Sequence, residues 1–222
     1  MKFKDFIDNL NKDDKANFLK YSKIRGNQIY RIIFECLSKD DESIKYNDVN
    51  SFVKYDKSIR DVLYVYLGTL EEYIKTYILS NFNIKQDMIL LKETYLYFKD
   101  LPEIEKVNMD TFEINDLYKR FSLTFGEIIK FLKEYDSDAF NLVKLEKIRK
   151  LRNKVMHHSP LFYDINFISI KDNTEEQIRC LIDLLPEHYQ IGITKKLNEK
   201  TEATKININK IFYKYLLFRK EE

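Results

Sequence analysis

The scarcity of glycine and proline constrains the fold of this chain more than any other feature of its sequence. Only 4 glycines and 3 prolines occur in 222 residues, about 3% of the chain, where average usage would give roughly 12%. β-Sandwiches, β-barrels and glycine-rich nucleotide-binding loops need many tight turns, so the deficit argues against all three. A hydrophobic fraction of 44% is enough for a core and excludes wholesale disorder. The composition therefore predicts an all-α protein.

Charge and cysteine usage indicate the compartment. Charged residues make up 33% of the chain and interrupt its apolar runs, so we expect no membrane-spanning segment. The first residues, MKFKDFIDNL, lack the apolar stretch of a signal peptide. Cys36 and Cys180 lie on apolar helical stripes and have no CxxC spacing. We therefore expect a cytoplasmic protein with buried free thiols, no metal and no cofactor.

Apolar side chains at helical spacing predict a bundle of helices in a single domain. Helices are expected as a pair within 13–38 broken near Gly26, and at 55–82, 86–99, 139–158, 174–185 and 204–219, with another capped by Ser122. Gly68, inside the helix expected at 55–82, is expected to let a neighbouring helix pack closely. Pro102 and Pro160 are expected to end helices. Residues 39–50 and 100–116 are expected to be loops, and 161–170 an extended segment.

Charge is sorted along the chain although the formal net charge is only +2. Between Lys144 and His158 there are six basic residues and one acid, a local charge of +5. Between residues 99 and 116 there are six acids and two bases, a local charge of −4. Two of the three histidines lie in the basic segment. This segment is therefore the first place to look for a site.

On a helical wheel the basic segment separates into two faces. The predicted apolar stripe consists of Phe140, Val143, Ile148, Leu151 and Val155. Arg149, Asn153 and His157 follow one another on the opposite side, Arg152 lies between the faces, and His158 is expected to point back toward the stripe. An arginine, an amide and a histidine together suit a phosphodiester, because they can bind its oxygens and exchange protons. A solvated lysine-rich helix face with an incidental histidine is the alternative.

Two stretches resemble a known family. Arg152–His157 fits RxxxxH with asparagine after the arginine, and LRNKVMHHSPLF is similar to the motif LRNxxAHHxRLF of the Abi-like abortive infection proteins (the AbiD/AbiF group) of the HEPN ribonuclease superfamily. Upstream, SIRDVLYVYLGTLEEYIKTYILSNF resembles the long helix of that family, which has a pattern like DRELRxLLxxALExIExxLRTxI. The resemblance covers roughly residues 15 to 190. Pro160 and Lys75 depart from it, since both stand where arginine is usual.

The resemblance implies a HEPN-type helical bundle with additional helices. It divides the chain into N-terminal helices (about 1–50), a core with the motif (about 55–160) and a C-terminal extension (about 161–222). It implies metal-independent RNA cleavage with Arg152, Asn153 and His157 as catalytic residues. The implied RNA-binding or supporting residues are His158, Arg149, Lys150, Lys154, Lys147, Glu71, Lys75 and Arg60. Glu71 is expected to bond Arg152 or Lys75, or to form a purely structural ion pair.

Partners follow from the same resemblance. HEPN proteins form one composite site from two motif helices, which implies a homodimer here. A defence or toxin effector would also be held in check by a neutralising partner, such as a small RNA or a neighbouring protein. Two alternatives stay open: a module that holds a structured small RNA without cutting it, and an all-α dimeric scaffold with no nucleic-acid role. His188 is expected to be an ordinary surface residue, and the basic segment from Lys195 onward a packed terminal helix or an extension of an RNA surface.

Overall fold

Helices account for the regular structure of the residues that can be described. The computed structural model describes residues 2–38, 44–81, 124–162 and 171–203. Across these ranges the chain forms eight helices and no strand, which confirms the predicted all-α class. The helices are α1 (Phe3–Asp8), α2 (Lys12–Arg25), α3 (Asn27–Leu37), α4 (Tyr46–Asn81), α5 (Phe125–Tyr135), α6 (Leu142–Met156), α7 (Lys171–Leu184) and α8 (Glu187–Ala203).

The long helix α4 is the centre of the bundle. It packs against α3, α5, α6, α7 and α8. In the sequence, nine residues between 59 and 78 recur at the spacing of one apolar helix face. Tyr77 is partly buried and the other eight are buried: Ile59, Val62, Leu63, Tyr66, Leu67, Leu70, Ile74 and Ile78. The helix begins at Tyr46, so the expected loop over 39–50 is wrong from that residue onward. Tyr46, Val49 and Phe52 are buried, because they continue the core-facing side of α4 toward its N-terminus.

The first three helices form a small aromatic layer. The predicted pair of helices within 13–38 is confirmed, and the break falls at Gly26, whose φ of +82° favours glycine. The short α1 was not expected from the sequence. It adds Phe3 and Phe6 to the core, where the ring of Phe6 stacks on that of Phe34 at 4.5 Å.

Two predicted helix boundaries are corrected. Helix α5 is capped by Thr124 rather than Ser122, because the Thr124 side chain accepts from the backbone N–H of Glu127 and the Glu127 side chain accepts from that of Thr124. Helix α6 begins at Leu142 rather than 139, since the side chain of Asn141 accepts from the N–H of Lys144. The polar break at 136–138 does separate the two helices, as expected.

Helix α6 runs antiparallel to α4 in a fixed register. Before α6, the ring of Phe140 packs on Tyr77, and the Tyr77 hydroxyl donates to Asp136 at 2.7 Å. After α6, the N–H of Leu161 donates to Asp56, near the other end of α4. As the chain advances from 136 to 161, its contacts therefore move backward along α4. This antiparallel register places the motif of α6 beside the middle and first part of α4.

Helix α8 was not predicted from the sequence, although the helix before it was. The helix expected at 174–185 is observed as α7, and Pro186 precedes α8, a position at which proline suits a helix start. Only Ile193, Leu197 and Thr201 of α8 are buried, so its apolar stripe is narrow. The expected helices at 86–99 and 204–219, the loop at 100–116 with Pro102, and residues 163–170 of the expected extended segment lie outside the described residues.

Two glycines in helix interiors behave differently. A Cβ built on Gly192 in α8 would lie 2.8 Å from the hydroxyl oxygen of Tyr66, so glycine lets α8 approach α4 closely. A Cβ on Gly68 in α4 would meet nothing within 4 Å in the part of the chain that the structure describes. The expectation that Gly68 permits close helix packing is therefore wrong there, because its side of α4 is exposed.

Alanine substitutions at these two positions should have opposite outcomes. Gly68→Ala should raise the free energy of unfolding by about 0.5–1 kcal/mol, because alanine is the better helix former and meets no neighbour. Gly192→Ala should be about 1–3 kcal/mol less stable than Gly68→Ala, because its methyl group overpacks against Tyr66. Urea unfolding of both variants measures the difference, and equal stabilisation by both would contradict the close α4–α8 contact.

Candidate functional site

The motif helix α6 buries one face and exposes the other. Leu145, Ile148, Leu151 and Val155 are buried, which confirms three members of the predicted stripe and adds Leu145. Val143 is 68% exposed, so its assignment to the stripe is wrong. Phe140 is only partly buried and precedes the helix. Helix α6 is therefore rotated slightly from the predicted wheel, with its core face centred on Ile148.

The motif ends in a tight turn that the sequence did not predict. Helix α6 ends at Met156, so neither the expected end at His158 nor termination by Pro160 is correct. The N–H of His158 donates to the carbonyl of Val155 at 3.2 Å, and that of Ser159 donates to Lys154 at 2.9 Å. This pair of bonds is the Schellman pattern, which reverses the chain at a helix C-terminus.

His158 occupies the left-handed position of this turn. Its φ is +54°, where glycine is usual and other residues are strained by about 1 kcal/mol or more. The residue is exposed, so the expectation that its side chain faces the apolar stripe is wrong. His157 is the C-cap, with φ −91° and ψ 10°, and is also exposed. Both imidazoles thus leave the end of α6 toward solvent.

An ion pair on α4 holds the turn in place. Arg60 Nη1 donates to the carbonyl of His158 at 2.7 Å, and Arg60 Nε lies 2.9 Å from Asp56 Oδ2. Asp56 Oδ1 accepts from the N–H of Leu161 at 2.7 Å. The Asp56 side chain is 4% exposed and the Arg60 side chain 11% exposed. The turn is therefore fixed at two backbone points by one buried pair, which we call the Asp56–Arg60 pair.

Neighbouring contacts hold the residues that follow the turn. The hydroxyl of Thr174 on α7 donates to the carbonyl of Leu161. The ring of Phe162 stacks on Tyr55 of α4 at 5.5 Å, and the Tyr55 hydroxyl lies 3.3 Å from that of Thr201 on α8. Leu161 and Phe162 are both buried. Three helices therefore converge on the chain segment after the motif.

Burial dominates the titration of Asp56. Loss of solvation raises the pKa of its carboxyl from 3.8 to about 6, although Arg60, the N–H of Leu161 and Lys154 act in the opposite direction. Because the folded-state pKa is raised, the contribution of this group to stability is fully present below about pH 4 and is lost as the pH rises through about 6. Ionised Asp56 therefore depends on Arg60 at neutral pH.

A second group of charges on α4 faces Arg152. Glu71 Oε1 accepts from Lys75 Nζ at 2.7 Å, and Glu71 Oε2 lies 3.8 Å from Arg152 Nη2. The Lys75 side chain is 5% exposed and that of Arg152 30% exposed. The structure thus brings Arg152, Glu71 and Lys75 together, as the resemblance implied, and Glu71 contacts both cations.

Arg152, Asn153 and His157 retain unused hydrogen-bonding groups. Within the described residues, the guanidinium of Arg152 makes only the 3.8 Å contact to Glu71, and its Nε has no hydrogen-bond partner. Asn153 and His157 are exposed. By contrast, Arg60 donates to His158, and Arg149 is bonded to Glu146 through Nε and Nη2 at 2.6–2.9 Å. The Nε of Arg152 is buried, but its side chain is 30% exposed, so the donors that a ligand could reach are those of the two Nη atoms.

The local charge of +5 is partly neutralised by acids in space. Lys144 pairs with Asp183 and Lys147 with Glu176, both acids on α7. The bond from Arg149 lowers the pKa of Glu146, and the bond to Glu176 raises the pKa of Lys147. Lys154 donates to Thr174 at 3.4 Å. Lys150 is exposed and makes no ion pair with any described residue. The basic face of α6 is therefore weaker near its start than at Lys150 and Arg152.

Sequence reasoning missed two features of this region. Asp56 was not among the predicted site residues, although its spacing of four residues from Arg60 could have indicated an ion pair on one helix face. A groove between α5 and α6 brings Lys130 and Lys133 beside Lys150. No pattern in the sequence links residues 130 and 150, because they lie on different helices.

Other expected features can be located in the same ranges. Cys36 and Cys180 are buried thiols that form no disulfide, as expected, and His188 is exposed with its ring on Tyr189. No three His, Cys, Asp or Glu side chains of the described residues are grouped as a metal would require. No helix in those residues is both long and apolar enough to span a bilayer.

Comparison with known proteins does not add to these observations. The chain matches no model of a protein family, no curated protein and no solved structure. The function must therefore be argued from the residues and their geometry, together with the resemblance of the motif.

Replacing Arg60 by methionine tests the Asp56–Arg60 pair. Methionine keeps a long side chain but leaves Asp56 buried without a counter-charge, so the pKa of Asp56 should rise further above 6. We expect a loss of about 3 kcal/mol in the free energy of unfolding near pH 8, since breaking a buried pair leaves an uncompensated charge. The loss should shrink toward pH 5, where the carboxyl becomes protonated.

Urea unfolding at the two pH values measures this effect, with Arg31→Met as the matched control. Arg31 pairs with Glu35 on the surface of α3 and is 60% exposed. Its replacement should cost less than about 1 kcal/mol at either pH. A loss for Arg60→Met that is the same near pH 5 and pH 8 would contradict the ionised pair.

Glycine substitutions test the left-handed turn at the end of α6. His158→Gly should raise the free energy of unfolding by about 0.5–1 kcal/mol, because glycine adopts a positive φ without strain. His157→Gly should not stabilise the protein, because His157 has a negative φ that favours no glycine. Thermal unfolding compares the two variants, and stabilisation by His157→Gly alone would place the turn one residue earlier.

Proposed function

We propose that this protein is a metal-independent endoribonuclease. The observation that carries the proposal is that Arg152, Asn153 and His157 keep unused polar groups on one helix, directly before a turn that Arg60 and Asp56 hold rigidly. These are the three residues that the RxxxxH resemblance implies as catalytic. A structural role would be expected to engage the guanidinium of Arg152 with partners, as it does that of Arg149.

The residues suit an attack by the RNA on itself. The 2′-oxygen forms a bond to the adjacent phosphorus while the bond to the 5′-oxygen breaks, which leaves a 2′,3′-cyclic phosphate and a 5′-hydroxyl. One group must accept the proton of the 2′-hydroxyl, and one must give a proton to the leaving 5′-oxygen. Arg152 would stabilise the charge on the phosphoryl oxygens, His157 would transfer a proton, and Asn153 would orient the phosphate.

A second copy of the chain would complete this chemistry. One motif supplies one well-placed imidazole, whereas the reaction needs a proton acceptor and a proton donor. We propose a homodimer in which two α6 helices meet, so that each supplies a His157. Two apolar side chains on α4 are also exposed, Tyr64 at 57% and Val65 at 56%. They would give a second copy an additional apolar surface to cover.

His158 is proposed as a supporting residue at the same site. Its positive φ costs stability at a position where glycine would be comfortable. Such strain is found at functional positions more often than elsewhere. The exposed imidazole of His158 would bind RNA beside His157, while its own carbonyl is held by Arg60.

The biological role follows from the resemblance to Abi-like proteins. We propose a cytoplasmic effector of phage defence or of a toxin system, which cleaves RNA when released. A small RNA or a neighbouring protein would restrain it. A binding module that holds RNA without cleavage remains the second candidate, because the lysines of α6 support binding even without His157.

Alanine substitutions test the nuclease. Purified protein should cleave total RNA, and His157→Ala should slow cleavage by about 10²-fold or more, since general acid–base groups contribute about 10²–10⁴-fold. Arg152→Ala should show a similar loss. His188→Ala is the matched control, because His188 is an exposed histidine on α8 and should leave the rate unchanged.

The products and the negative outcomes distinguish the candidates. A 2′,3′-cyclic phosphate on the upstream fragment, formed in the presence of a chelator, would support the mechanism. Equal cleavage by all four proteins would show a contaminating nuclease and refute the assignment. RNA retention without cleavage, weakened by Arg152→Ala, would indicate the binding module, and no salt-dependent retention would indicate a scaffold.

A further inference from the structure

A groove between α5 and α6 carries a concentration of cations. Its volume is about 890 Å³, and it is lined by residues of both helices and of the turn before α5. Its cations are Lys130 and Lys133 on α5 and Lys147, Arg149 and Lys150 on α6. No sequence pattern links the cations of α5 with those of α6, so the groove exists only in the folded chain.

The carboxylates of the groove are already engaged. Glu127 and Glu146 are its only acidic lining residues among the described residues. Glu127 accepts from the N–H of Thr124 at 2.6 Å as part of the α5 cap, and Glu146 is bonded to Arg149. Lys130, Lys133 and Lys150 are exposed and form no ion pair with any residue that the structure describes. The groove therefore offers three lysines outside any ion pair to an anion, of which Lys150 also acts on Glu146 and helps to lower its pKa.

The same groove has an apolar strip. Ile129, Leu142 and Val143 line it, and Val143 is 68% exposed. An exposed valine between lysines has no role in the core of this bundle. Ile129 is buried and Leu142 partly buried, so Val143 is the apolar side chain of the lining that is open to a ligand. A cationic groove with such a side chain suits a single-stranded nucleic acid, whose phosphates contact the lysines while a base contacts the valine.

We propose that the α5–α6 groove binds the backbone of single-stranded RNA and leads it to the motif. This inference rests on the proposed function, since it assigns the path of the substrate to that site. Arg149 lines the groove, and Asn153 and His157 follow it at four and eight residues on the same side of α6, a rise of about 12 Å. RNA lying beside Arg149 and Lys150 thus continues along α6 to His157.

The lining indicates recognition without sequence preference. Thr124 is the only neutral side chain with hydrogen-bonding groups among the described lining residues, and it is engaged in the α5 cap. Charged side chains can also read base edges, but the arginine of the described lining, Arg149, is bonded to Glu146. The lysines act as point charges, so the groove has little means to distinguish bases. Lysines bind phosphates as point charges, which gives affinity that falls steeply with salt. A duplex would present phosphates but not the apolar faces of its bases to Val143.

The test measures binding of a labelled oligouridylate by fluorescence anisotropy at several salt concentrations. His157→Ala serves as the parent, so that RNA is not consumed. Adding Lys130→Gln and Lys133→Gln should weaken binding about tenfold and reduce the slope of log affinity against log salt by about 1.4, since each single-strand phosphate contact contributes about 0.7. Lys12→Gln with Lys23→Gln is the control, because it removes the same charge from exposed positions on α2.

Each outcome bears on the groove separately from the nuclease. Unchanged affinity in the α5 variant, with a parent that binds, would overturn the groove and leave the proposed function standing. Equal loss in the α2 control would show a bulk charge effect and overturn it too, as would equal competition by a duplex of the same length. Loss of affinity only in the α5 variant supports the groove even if the wild-type protein cleaves no RNA. A parent that binds no RNA would overturn both proposals.

Discussion

The buried Asp56–Arg60 pair is the interaction on which the rest of the candidate site depends. It joins α4 to the backbone on both sides of the turn after α6, through the carbonyl of His158 and the N–H of Leu161. A buried ion pair is seldom a large source of stability, because desolvation offsets much of the attraction. Its value here is directional, since each partner bonds a different backbone group. The imidazoles at the end of α6 therefore start from a defined backbone.

Spatial pairing of charges changes the meaning of the basic segment. Counted along the chain, 144–158 carries six basic residues and one acid. In the fold, Lys144 and Lys147 form ion pairs with acids on α7. Arg152 has only a 3.8 Å contact with Glu71, and Lys150 has no ion pair with a described residue. New cations also arrive from α5 at the other side. The positive surface is therefore displaced from the first turns of α6 toward the α5–α6 groove and the motif.

Much of the fold could be predicted because apolar periodicity is strong where helices bury a wide face. The stripe of α4 and the break at Gly26 are examples, and both are confirmed. Prediction failed where burial is narrow or the pattern begins among polar residues. Helix α8 buries little beyond Ile193 and Leu197, and the start of α4 at Tyr46 follows a polar stretch.

The candidate site was predictable in its residues but not in its geometry. The contacts of Glu71 with both Arg152 and Lys75 agree with the resemblance. The positive φ of His158 could not be inferred, because no glycine marks the turn and an ideal wheel assumes that the helix continues. The long-range bonds of Asp56 and Arg60 depend on tertiary contacts across about a hundred residues of chain.

The antiparallel register of α4 and α6 has a consequence for how the site can fail. The contacts before α6, after α6 and at Arg152 are all made with one continuous helix, α4. Phe140 already contacts both Tyr77 and Tyr73, which lie one turn apart on α4. The contacts of Leu161 with Asp56 and of Arg152 with Glu71 are different. A slip of one helical turn, about 5.4 Å, would break both, because the residues one turn away on α4 supply no carboxylate: Phe52, Arg60, Leu67 and Lys75. These contacts of the candidate site would therefore form or break together.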